Sequence, residues 1–158
     1  MHAPDDAYEL FVALSSILTG FARVDLYGTG LVPTYVETVL GACGSATMER
    51  LDQVTLSILA RSDGDLDVQE EFVRKEVLAD ARLGPVARNL IQLWYLGTWF
   101  QLPTGWSAAF GTHAGDTTRI VSAQAYEQSL VYDVMHAHPP GAKQPGFGSW
   151  HVPPQGVR

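Results

Sequence analysis

The sequence predicts an all-α protein, and three observations carry that expectation. Apolar residues recur at spacings of three and four along most of the chain. No alternating apolar–polar run lasts beyond four residues, and Gly, Pro and capping residues break the pattern at helix-length intervals. The expected architecture is a compact helical domain over 1–138, built of about five or six helices. An extended Pro/Gly-rich, aromatic arm follows over 139–158.

The first helix is expected from Asp6 to Gly20. Leu10, Phe11, Leu14 and Leu18 share one face, Asp5 or Asp6 caps the start, and Gly20 ends it. The second runs from Leu31 to Ala42, with Pro33 suited to a first turn and Gly41 and Gly44 at its end. The third spans Thr47 to Arg61 and turns Leu51, Val54, Ile58 and Leu59 inward.

Asp67 and Glu70 stand in capping-box spacing and open a fourth, highly charged helix to Asp80, with only Phe72, Val73, Val77 and Leu78 to bury. The fifth covers Leu83 to Trp99 and is apolar almost all round beyond Leu90. Such a helix lies in a core, or between a core and a partner. Gly, Thr and Pro from Gln101 to Thr118 predict a long irregular connection. A last helix is expected from Ala123 to His136, with Ser122 as its cap. Pro139-Pro140-Gly141 then forbids further helix.

The chain has 158 residues, 46% hydrophobic and only 17% charged, enough for one real core and suggesting apolar surface that something else covers. Its net charge of −7, from 17 acidic and 10 basic side chains, opposes binding to nucleic acid or anionic lipid. No apolar run approaches the length of a transmembrane helix, so no direct membrane insertion is expected. The start, Met-His-Ala-Pro-Asp-Asp, lacks the basic-then-apolar pattern of a secretory leader.

Catalytic and cofactor motifs are sparse. Gly28-Thr29-Gly30 lacks the third glycine and the preceding strand of a dinucleotide loop, and reads as a turn. No Gly-x-Ser-x-Gly elbow appears, and Cys43, the sole cysteine, reads as a buried thiol without a disulfide or haem-attachment role. No cofactor, metal or catalytic residue is therefore expected in this chain. One alternative stays open: His136 and His138, with Asp133 one turn earlier, could bind a metal if further ligands converge on them.

The strongest signal is aromatic. Trp94, Tyr95, Trp99, Trp106, Tyr126, Tyr132, Phe147 and Trp150 crowd the C-terminal half. Tyr and Trp serve both cores and interfaces, because they bury much area with few torsions to freeze. The residues expected to meet a partner are Trp94, Tyr95, Trp99, Trp106, Tyr126, Pro140, Pro145, Phe147 and Trp150. That partner is a different protein, or, as another alternative, a second copy forming a helical homodimer.

Three blocks of the sequence resemble the small subunit of membrane-associated, FAD-dependent sorbitol dehydrogenase, a family related to the small subunits of bacterial FAD-dependent glucose and fructose dehydrogenases. They are Phe11-Val-Ala-Leu-Ser-Ser-Ile-Leu-Thr-Gly20; Ala87-Arg-Asn-Leu-Ile-Gln-Leu-Trp-Tyr-Leu-Gly97; and the stretch from Tyr126 through Leu130 to Pro145-Gly-Phe-Gly-Ser-Trp150. The resemblance implies a non-catalytic subunit that scaffolds and matures a large flavoprotein of the glucose-methanol-choline type, sometimes with a multihaem cytochrome c subunit. FAD and the sugar or polyol site then belong to the large subunit, and haem c to the third. The implied location is the periplasm, on the inner membrane through those partners. Two departures stand out. The family's twin-arginine leader is not visible, and Met135-His-Ala-His-Pro139 lacks a cysteine that some relatives carry near the arm.

Overall fold

The computed structural model describes residues 4–139, and the protein is all-α, with one two-stranded ladder among the described residues. Helix α1 spans Pro4–Thr19, beginning ahead of Asp5 and Asp6. Proline suits such a first position, because its missing N–H would have no intrahelical acceptor there. Gly20 ends the helix at φ 78, where glycine pays no Cβ penalty. Phe11, Val12, Ala13, Leu14 and Ser15 are all buried, so this helix is enclosed on several sides. It packs against α2 (Arg23–Gly28), α3 (Val32–Cys43), α4 (Ser45–Ser62), α5 (Leu66–Phe72) and α6 (Leu83–Leu96).

Helix α2 carries one buried residue, Leu26, too little for a visible periodicity, and the sequence does not announce it. Helix α3 falls where expected, with Pro33 in its first turn. Helix α4 also does, but its buried stripe runs Thr47, Leu51, Thr55, Ile58 and Ser62. Val54 and Leu59 flank that stripe half-buried, so part of the inward face is threonine and serine rather than aliphatic.

The expected capping box at Asp67 and Glu70 is displaced. Asp65 is the cap, its carboxylate accepting from the N–H groups of Asp67 at 3.0 Å and Val68 at 3.2 Å. The helix therefore begins at Leu66. After Phe72 it widens into a π-helical turn, Val73–Leu78, which buries Val73 and Val77.

Helix α6 stops at Gly97, in the left-handed region at φ 64, and not at Trp99. Any Cβ at Gly97 would meet the Ala125 carbonyl oxygen at 2.5 Å, so the chain can cross there only as glycine. Thr98–Trp99 forms β1, paired antiparallel with β2, Arg119–Ile120. The connection between them is less irregular than expected, since it holds helix α7, Thr104–Phe110.

The single last helix expected from Ala123 to His136 is instead two: α8, Ala123–Glu127, and α9, Leu130–Val134. Ser122 caps α8 as expected, accepting from Ala125 N–H at 3.0 Å. At the break, Ser129 turns its hydroxyl back to the Ala125 carbonyl at 2.8 Å and takes an extended ψ of 127°. Serine competes with the helix for backbone partners in this way. No helix among the described residues is long and apolar enough to cross a membrane.

Candidate functional site

The aromatic C-terminal half is the region from which a site must be built, and α6 is its axis. Trp94 lies fully buried on α6, with the Tyr35 ring edge-on at 4.7 Å and Phe11 at 6.5 Å. Its indole nitrogen, the Tyr35 hydroxyl and the Ser15 hydroxyl have no hydrogen-bond partner among the described residues. Burial alone pushes the Tyr35 phenol above its ordinary range.

Trp99 is held by a polar post. Its Nε1–H donates to Asp116 at 3.0 Å, and the Leu102 N–H donates to the same carboxylate at 2.9 Å. Asp116 is itself buried, so one carboxylate fastens both strand β1 and the chain beyond it. Asn89 makes a second post on α6: its amide donates to the Phe100 carbonyl and accepts from the Phe100 N–H at 3.2 Å.

Trp106, on α7, donates from Nε1 to the Arg82 carbonyl at 2.8 Å. Arg82 in turn donates to the Thr47 hydroxyl at 2.9 Å and lays its guanidinium over Phe110. Cys43 is buried nearby, and its thiol is pushed up to about 12. Burial is the main cause; Asp116 adds to it and Arg82 opposes it.

These placements revise the expected partner-binding set. Trp94, Trp99 and Trp106 are buried in this chain's own interior, with the indole N–H groups of the last two satisfied from within, so as folded they offer no ring to a partner. Tyr95 and Tyr126 keep part of their surface. Tyr95 donates its hydroxyl to the Thr19 carbonyl at 2.9 Å, and Tyr126 packs edge-on to Tyr132 at 5.8 Å. Pro140, Pro145, Phe147 and Trp150 lie outside the described residues, with the rest of 140–158.

What does face outward in this region is aliphatic. Ile120 is 60% exposed on β2, Val134 55% and Met135 67% at the end of α9, and Leu96 is exposed on the last turn of α6. α9 packs on α6, while β2 pairs with the strand that follows it. The sequence reading missed these four, because it weighted rings over aliphatic side chains. No protein-family model, curated protein or solved structure matches this chain.

Among the described residues the histidines do not assemble. His136 is exposed at the left-handed φ of 50, His138 is half-buried with Nδ1 3.5 Å from the Pro139 carbonyl, and Asp133 is exposed. His113 instead packs against Trp106 at 6.5 Å. Among the described residues no three His, Cys, Asp or Glu side chains converge as a metal site.

Proposed function

We propose that this chain is a non-catalytic helical subunit that scaffolds and matures a large FAD-dependent sugar or polyol dehydrogenase subunit of the glucose-methanol-choline type. FAD resides in that partner and haem c in a third, cytochrome subunit. The assembly works in the periplasm, attached to the inner membrane through the partners.

The observation that carries this reading is how the first two resembling blocks meet. Tyr95, in the second block, donates to the carbonyl of Thr19, in the Leu-Thr-Gly end of the first. Trp94 of the second block packs against Phe11 of the first. Residues that pair the sequence with the family therefore form one structural joint, which supports a shared scaffold over a chance match of short motifs. Exposed Leu96, next to Tyr95 in sequence, together with exposed Ile120, Val134 and Met135, supplies apolar surface for a partner. A standard interface needs about 800 Å² on each side, and a permanent one more.

The test is to express the large flavoprotein subunit with and without this chain. The expected result is soluble, flavin-loaded, active protein only when both are present, measured by flavin absorbance and sugar-dependent dye reduction. A large subunit that loads flavin and turns over at full rate alone overturns the proposal. Light scattering on the isolated chain tests self-association: a stable homodimer through the aliphatic residues favours the second copy as their cover.

A further inference from the structure

The last turn of α9 stands clear of the domain. Leu130, at the start of that helix, is buried, whereas the five residues from Asp133 to Ala137 are all exposed. Met135 is 67% exposed there, beside Val134. The turn is closed by its own backbone. The Met135 N–H donates to the Val131 carbonyl at 3.0 Å, His136 N–H to the Asp133 carbonyl at 3.1 Å and Ala137 N–H to the Tyr132 carbonyl at 2.8 Å. The Met135 side chain is therefore not needed to hold the turn.

Met48 supplies the internal contrast. It lies on α4, half-buried and packed against the core. Met1, the third methionine, lies outside the described residues. A thioether is oxidised to the sulfoxide where an oxidant reaches its sulfur, and the product is polar where the parent was apolar. Exposure sets the rate of that reaction and packing sets its cost. At Met48 a sulfoxide would press a polar group against the core, whereas at Met135 it would stand in water.

We propose that Met135 is a modification site for hydrogen peroxide, oxidised ahead of Met48 and without unfolding, so that the exposed end of α9 loses its apolar character. The sulfur lone pair attacks one peroxide oxygen. An S–O bond forms as the O–O bond breaks, sulfur gives up two electrons, and the other oxygen leaves as water, taking the proton of the first. Sulfoxide reductases restore the thioether, so the change is reversible. The site stands without the flavoprotein reading. Its regulatory consequence rests on that reading: where Val134 and Met135 meet the flavoprotein, a sulfoxide weakens the contact, and the contact in turn shields the sulfur.

The probe is hydrogen peroxide added to the full isolated chain, followed by tryptic peptide mapping. Cleavage after Arg23, Arg50, Arg119 and Lys143 puts the three methionines in separate peptides. Met135 sulfoxide should form about tenfold faster than Met48 sulfoxide. While Met48 is still intact, the urea midpoint should hold and retention on a hydrophobic-interaction column should shorten. Met135→Leu should show no such shortening after the same treatment. Met48 reacting as fast as Met135, a midpoint that falls as Met135 is oxidised, or retention that shortens equally in Met135→Leu overturns the inference. In the co-expressed complex Met135 should react more slowly than in the isolated chain. An equal rate there overturns the regulatory consequence, whereas failure of the unoxidised chain to form any complex overturns the flavoprotein reading alone.

Discussion

At the scale of single residues, Asp116 ties Trp99 to the chain that follows it. It accepts from Trp99 and Leu102, and burying it without those donors would be costly. Asp116→Ala should therefore lower stability by about 2–4 kcal/mol, read from urea unfolding. Asp116→Asn should cost less, since one acceptor survives. Cys43 gives a second residue-level prediction. Its thiol rises from an ordinary 9.0 to about 12 on folding, so the folded state disfavours the thiolate. The associated stability is whole below pH 9 and is lost as pH climbs toward 12. The urea midpoint should fall over that range, and Cys43→Ala should make the fall shallower. The burial of Cys43 was legible in the sequence, but the rest was not. Trp99 and Trp106 read as partner anchors because ring content does not say which way a ring points. Their partners, Asp116 and the Arg82 carbonyl, lie 17 and 24 residues away. Asn89, a polar side chain between the apolar residues Val86, Ala87 and Leu90 of α6, was one available signal.

Among elements, legibility followed the strength of local chemistry. Helices α1, α3, α4 and α6 stood out because a repeating apolar face and a Gly or Pro boundary coincide in each. Helices α2 and α7 did not, since each buries one large side chain, Leu26 or Trp106, and one buried residue makes no period. The cap of α5 was misplaced by two residues because Asp63, Asp65 and Asp67 alternate, and any of them could serve. Only the extended backbone at Asp65, with ψ of 114°, aims a carboxylate at the free N–H groups. Asp65→Ala should cost about 1 kcal/mol and Asp67→Ala only a few tenths, measured by thermal or chemical unfolding. Equal losses at the two sites would restore the original placement.

For the whole molecule, the all-α class was readable from periodicity, whereas the outward face was not, because composition does not map side chains onto a surface. Leu96, Ile120, Val134 and Met135 are exposed apolar side chains of the C-terminal half, as Val24, Leu56 and Leu66 are elsewhere. Ile120→Asp and Met135→Asp should leave the unfolding free energy of the isolated chain within about 0.5 kcal/mol of wild type, as exposed sites do. In co-expression with the flavoprotein subunit proposed as partner they should sharply reduce the yield of flavin-loaded complex; an unchanged yield would move the proposed contact elsewhere. The central position of α1 bears on how the protein is made. Helix α1 leaves the ribosome before α2 to α6, the helices that enclose it, and its Thr19 waits for a hydroxyl 76 residues downstream. A nascent chain interrupted before α6 would hold a greasy rod with nothing to wrap it, which is the state that chaperones bind and proteases clear. Translation must run past Tyr95 and on through Trp99 and Trp106 before the interior can close, so the domain commits to its shape late.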